Sequence, residues 1–363
     1  MKLGLFLMPL HYPDRPHADT YEEDLDLVEY ADGLGYSETW VGEHFLLPWE
    51  NMPSPELFIA RALGVTKQMA FGTGVSLAHF HSPAHLAHRI AQLDHMARGR
   101  IYMGIGAGGS TVDSELFDID EDKGTHRERM SECVDVVLKI WEGEPFEHSG
   151  KFYTVKLSED QPENRIGFHM KPYQNPHPQI AVAGSSPYSS TLEMVGEKGW
   201  IPLSSSFMHE THLPSHRLVF ERGAKRGGKR VPTDEWRISR EVFVADDGQK
   251  ARDEALNGPI GNLFDDYWIP LFGGGGPALA RLKVDPEMPD EELTREYMLE
   301  NFWIVGDPEE CAHRIKQMHD DVGGFGTLLL QCHDWVEDRP KWYRCLELMA
   351  NEVLPAVNKA IGS

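Results

Sequence analysis

The sequence predicts an α/β protein, a single (β/α)8 TIM barrel spanning residues 1–363. Three observations carry this expectation. Short apolar runs alternate with amphipathic stretches along the whole chain, the rhythm of a parallel sheet joined by crossover helices. The apolar runs number eight. With 363 residues and 40% hydrophobic composition the chain can bury one large core, and no internal repeat or linker-like stretch divides it.

The strands are expected at residues 3–8, 38–41, 69–76, 100–105, 179–183, 201–203, 236–244 and 326–331. Helix starts follow several of them. Ser54-Pro55, Ser82-Pro83, Ser186-Pro187 and Asp307-Pro308 each join a capping oxygen to a proline suited to the first helical position. Thr20 with Glu23, and Asp307 with Glu310, have capping-box spacing. Leu86, Ile90, Leu93 and Ala97, then Cys311, Ile315, Met318 and Val322, recur at helical intervals and should face the sheet. Two segments break the rhythm. In 143–178, residues 145–155 read as a hairpin turning at Ser149-Gly150. Residues 257–301, with four consecutive glycines from Gly273, suit a lid over a site.

Composition limits the partners. The formal charge of -23 opposes nucleic acid and anionic membrane surfaces. No apolar run approaches the roughly 20 residues that cross a bilayer. The four cysteines form no CxxC pair and the start is too short for a signal peptide, so a reduced, cytoplasmic protein is expected.

At the end of the second strand stand Gly42, Glu43 and His44, followed by Trp49. An imidazole at a strand's carboxyl end enters the crevice where barrels hold ligands, and it can move protons near neutral pH. The plainer alternative is a hydrogen-bonded histidine under a loop. Gly104 to Gly109 satisfies GxGxxG, but the polar, acidic residues 110–123 do not supply the context of a dinucleotide fold. Those glycines imply close backbone approach or a tight turn. Gly184 runs into Ser185, Ser186, Ser189, Ser190 and Thr191, whose amides and hydroxyls at a helix start suit one phosphate monoester, or merely cap the helix. His79 and His81, with His333 and Asp334, form the rival metal-hydrolase reading. Without a further ligand on the middle strands, no metal is expected. No Ser-His-Asp spacing or Gly-x-Ser-x-Gly elbow supports acyl transfer.

The opening Lys-Leu-Gly-Leu-Phe-Leu, Val-Gly-Glu-His-Phe around His44, Phe-Gly-Thr-Gly-Val-Ser, Leu-Asp-His-Met-Ala-Arg-Gly-Arg and Val-Gly-Asp-Pro-Glu-Glu occur in this order. Together they resemble the luciferase-like flavin-dependent monooxygenases, and residues 42–56 resemble the diketocamphane and limonene monooxygenase branch. The resemblance implies a barrel, usually dimeric, that takes reduced FMN as a diffusible co-substrate from a separate flavin reductase and uses it with O2. His44 matches the histidine of the chemistry. Gly74 and Val75 match a non-prolyl cis peptide behind the flavin ring, Gly106 lies beside that ring, and Gly184 to Thr191 match the phosphate loop. Light-emitting relatives carry cysteine and arginine where this chain has Gly106 and Ala107, which argues against luminescence. Phe45, Trp49, Phe80 and residues of the 257–301 segment are expected on an apolar substrate wall. The branch implies Baeyer-Villiger oxidation of a cyclic ketone to a lactone. Alkene epoxidation or hydroxylation, a deazaflavin-dependent dehydrogenase, a metal hydrolase and a non-catalytic flavin-binding protein are the alternatives.

Overall fold

In the computed structural model, every residue is described except 109, 120–123, 274–276 and 363, and the side chains of Thr111 and Pro277. Eight parallel strands close a barrel: β1 (Lys2–Leu7), β2 (Glu38–Val41), β3 (Ala70–Thr73), β4 (Ile101–Ile105), β5 (Gln179–Gly184), β6 (Ile201–Ser204), β7 (Arg237–Arg240) and β8 (Thr327–Gln331). Each pairs with its neighbours in chain order, and β8 returns to β1 with Lys2 opposite Thr327. Strands buried on both faces read as apolar runs, which is why all eight are legible in the sequence.

The barrel interior is packed around a polar pair. Glu38 and Trp40, two apart on β2, share a face; Glu38 Oε1 accepts from Trp40 Nε1 at 2.9 Å and from Arg237 Nε at 3.0 Å. The Arg237 guanidinium lies 5.2 Å from the Tyr102 ring, which stacks on Trp40. A side chain at Gly72 would come within 2.4 Å of the Trp40 ring, so the indole occupies the space that this glycine leaves. Outside the strands, Leu86, Ile90, Leu93 and Ala97 of the helix Pro83–Ala97 are buried, as are Cys311, Ile315 and Met318 of Pro308–Asp321.

Several local expectations need correction. The 236–244 run is two strands: after β7, Glu241 leaves the barrel and Val242–Val244 pairs with Ile304–Gly306. Asp307 and Glu310 form the expected capping box. Thr20 does not cap, because its helix starts at His17 and its hydroxyl donates to the His17 carbonyl. Ser54 and Ser82 precede helices at the expected prolines without making a side-chain cap bond. Ser186-Pro187 does not start its helix; Ser190–Lys198 begins three residues later, with Ser189 at the N-cap. The hairpin is present as Phe146–Ser149 and Thr154–Leu157. Residues 257–301 are largely helical, including a π-helical turn Phe264–Trp268, and the glycines at 274–276 lie outside the described residues. The four cysteines are free and buried, and among the described residues no helix is long and apolar enough to cross a membrane.

Candidate active site

The carboxyl ends of the strands open into a cavity of about 770 Å³. Its wall takes Phe6 from β1, Glu43 and His44 after β2, Gly74 and Val75 after β3, Gly106 after β4, and Ser205 and Phe207 after β6. The peptide joining Gly74 to Val75 is cis. A side chain at position 106 would reach within 2.4 Å of Val75 Cγ2, so Gly106 leaves room for that valine at the cavity edge.

Carboxylates surround the imidazole. His44 Nδ1 is 2.9 Å from Asp113 Oδ2, and Nε2 is 3.3 Å from Glu50 Oε2. Asp113 Oδ1 accepts from the Leu46 amide at 2.7 Å and the Phe45 amide at 3.2 Å, which ties the loop to the carboxylate. Ser110 caps the helix Thr111–Leu116 by accepting from the Asp113 amide, so the residues that disqualify a dinucleotide fold supply the histidine's partner. Burial alone would lower the His44 pKa; the charge of Glu50 and the hydrogen bond and charge of Asp113 outweigh it, and the pKa is raised. Burial raises the Glu50 pKa, although its Oε1 accepts from Tyr267 Oη at 2.5 Å. Burial also acts to raise Asp113, but the hydrogen bonds from His44, Leu46 and Phe45 prevail and hold it below the usual carboxylate value.

Opposite this network is a cradle. Ser185, Ser186, Ser189, Ser190 and Thr191 line the cavity, while Gly184 sits behind them and accepts the Ser205 amide at its carbonyl. The helix Ser190–Lys198 presents its first-turn amides there, the arrangement that favours an anion. Arg281 and Arg127 also line the cavity, so the cradle does not depend on amides and hydroxyls alone. The Arg281 guanidinium donates to the Ser185 carbonyl at 2.6 Å, fixing the loop to residues 257–301.

A buried relay sets the loop from behind. Trp236 Nε1 donates to Ser204 Oγ at 2.8 Å; that hydroxyl lies 2.7 Å from His216 Nδ1, and His216 Nε2 lies 2.9 Å from the Ser186 carbonyl. The carbonyl can only accept, so Nε2 carries the proton and the serine donates to Nδ1. Burial lowers the His216 pKa to about 4, in keeping with a neutral ring.

Three side chains expected on the substrate wall are not among those lining the cavity. Phe45 packs against Phe80 and Phe117, and Trp49 stacks on Tyr267 with Tyr12 tilted against it. Their closeness to His44 in sequence does not turn them the same way. Leu47 and Phe207 stand on the apolar wall instead, together with Trp268, Leu271 and Phe272 from the 257–301 segment, which was expected to contribute.

The proposed histidine pair for metal does not converge. His81 Nε2 is held by Glu43 at 2.7 Å, and burial lowers His79 to about 3. Among the described residues, the group able to share a cation is His11, Glu23 and Asp334. Arg15 already places positive charge there, 2.6 Å from Glu23 and 2.7 Å from Asp334.

Serine and threonine hydroxyls at a helix start and a carboxylate-flanked imidazole line one cavity at the mouth of a (β/α)8 barrel, an arrangement suited to a small-molecule site with an anionic group. Comparison with known proteins makes this specific. Residues 1–323 match the family model of luciferase-like monooxygenases, and the chain belongs to that family. It is 31% identical to 3,6-diketocamphane 1,6-monooxygenase of Pseudomonas putida, over 98% of each chain. It is 30% identical to 2,5-diketocamphane 1,2-monooxygenase 1 of the same organism, over 98% of this chain and 99% of the relative. The solved oxygenating constituent of the 3,6-diketocamphane enzyme, a type II Baeyer-Villiger monooxygenase in complex with FMN, superposes with a TM-score of 0.91, 30% identity and 98% coverage of both chains.

Proposed function

We propose that this chain is the oxygenase of a two-component system: it takes reduced FMN from a separate flavin reductase and, with O2, converts a small, largely apolar cyclic ketone into a lactone. The observation that carries this is the placement of the Ser185–Thr191 hydroxyls with Arg281, and of His44 with Glu50, on the wall of one cavity. The relatives' named activities support the same reading.

The residues fit FMN. The cradle and Arg281 match one phosphate monoester, and the cavity of about 770 Å³ lies within the range of single-ligand sites. The Ser205 hydroxyl is buried on that wall with no partner, as a group awaiting a polar ligand would be. Reduced FMN, when bound, supplies the two electrons that let one atom of O2 enter the product while the other leaves as water.

The chain's own residues bind, orient and manage a proton. Ser189, Ser190 and Thr191 would hold the phosphate, and Gly74, Val75 and Gly106, on the wall of the same cavity, would support the ring. His44 Nδ1 is committed to Asp113, so Nε2, beside Glu50, is the atom that holds or passes a proton in the cavity. Phe207, Trp268, Leu271 and Phe272 keep water from the reacting atoms.

The test is anaerobic titration with reduced FMN, then exposure to 18O-labelled O2 with a panel of cycloalkanones and terpenoid ketones. Tight binding and one labelled oxygen in a lactone are expected. Absence of reduced-FMN binding, or of ketone-dependent oxygen incorporation, refutes the reading.

A further inference from the structure

Beside the apolar wall lies a second, smaller cavity of about 20 Å³, with room for about one water-sized group. Phe207, Trp268 and Phe272 line both cavities and separate them. The rest of the small cavity is apolar, from Ile260, Phe264, Leu282, Met298, Phe302 and Trp303, except for Ser206, Glu241 and His333. Glu241 is 6% exposed and His333 7% exposed. Glu241 Oε2 and both ring nitrogens of His333 have no hydrogen-bond partner.

Unpartnered polar atoms in an aromatic pocket cost about 1–3 kcal/mol each, so a ligand group or a water that satisfies them is favoured there. Their placement shows how they arise. Glu241 is the residue at which the chain leaves β7, with its carbonyl pinned by the Ile304 amide at 3.0 Å, and His333 follows β8. Both therefore stand at strand ends, on the rigid rim that carries the rest of the site. Burial pushes the Glu241 pKa up to about 7 and the His333 pKa down to about 3, so a carboxyl held well above its usual range and a neutral imidazole line the same small cavity. The pair offers a donor and an acceptor at once.

We infer that Glu241 and His333 form a recognition subsite for a second oxygen function, a hydroxyl or carbonyl, on the ring of the ketone substrate. Resting on the oxygenase reading above, this places the substrate's apolar body in the large cavity, with its distal oxygen passing the Phe207, Trp268 and Phe272 side chains. The free volume holds one oxygen and no ring, so the subsite reads one substituent.

Calorimetric titration of the chain without flavin, using cyclohexanone and 4-hydroxycyclohexanone as probes, tests the inference. The hydroxyketone should bind at least tenfold more tightly to the wild type. That preference should fall to within about twofold in Glu241→Leu and in His333→Phe; Glu241→Gln, which keeps shape and hydrogen bonding, should retain most of it. Equal affinity for the two probes, no binding of either, or a preference that survives in both apolar variants overturns the subsite and leaves a buried water as its occupant. Reduced-FMN binding, measured separately, reports on the main cavity. A chain that binds the flavin without discriminating the probes loses only this subsite.

Discussion

His44 Nδ1 and Asp113 Oδ2 lie 2.9 Å apart across 69 residues of sequence, and the other oxygen of the same carboxylate holds the loop that carries the histidine. Asp113 therefore sets both the position of the ring and its charge. In Asp113→Asn the His44 pKa should fall, as read by NMR titration of the ring. With its folded pKa raised above the ordinary 6.5, His44 stabilises the wild type fully below pH 6.5 and loses that contribution as pH rises through the raised value. The variant should show a smaller loss of stability over that window.

Replacing His44 with Ala should leave reduced-FMN affinity within about twofold, since the cradle is on the opposite wall. Oxygenation should drop by about 10²-fold or more, the scale of a lost proton-transfer group. Flavin titration and lactone yield measured on the same sample separate the two effects; an unchanged yield removes His44 from the chemistry.

The cradle should distinguish FMN from riboflavin through Arg281. Arg281→Ala is expected to weaken FMN about tenfold, or ~1.4 kcal/mol, while riboflavin affinity changes little. Fluorescence quenching titrations with both flavins check this, and equal losses would place the arginine away from the phosphate.

Tyr267→Phe removes the hydroxyl that donates to Glu50. Leaving a buried carboxyl oxygen short of a donor should cost about 1–3 kcal/mol in urea unfolding. It should also raise the Glu50 pKa further, because the tyrosine bond opposes the effect of burial.

Barrel closure gives a stability test away from the site. A side chain at Gly104 would stand 1.9 Å from the Thr73 carbonyl, which β3 cannot move, so Gly104→Ala should lose about 2–4 kcal/mol. Gly33→Ala, with nothing within 4 Å, should be neutral or slightly stabilising, and chemical denaturation of the pair gives the contrast.

Much of this architecture is legible in the sequence because barrel strands buried on both faces must be apolar, as in Thr327–Gln331. His44 was legible from its place at the end of β2. Its partners were not: Asp113 sits in a polar stretch of no obvious pattern, and Glu50 looks like any loop carboxylate. A contact as distant as that of His44 with Asp113 follows from closure of the barrel rather than from spacing. The apolar wall was half legible: Phe45 and Trp49 are near His44 in sequence but turn into other clusters, whereas Trp268 and Phe272 come from the 257–301 segment expected to cover the site. The relay through Ser204 and His216 carried no signal, since an isolated serine and a helix histidine are common.

Tyr267 belongs to the π-helical turn inside residues 257–301, while Glu50 belongs to the loop after β2. One phenol thus bolts the roof of the chamber to the acid beside the imidazole. Were the roof to swing out, that acid would lose its donor and the charge on the neighbouring ring would change with it. If residues 257–301 move as a lid, sealing the chamber and arming its proton carrier would be a single event, and an open mouth would also be a chemically unready one.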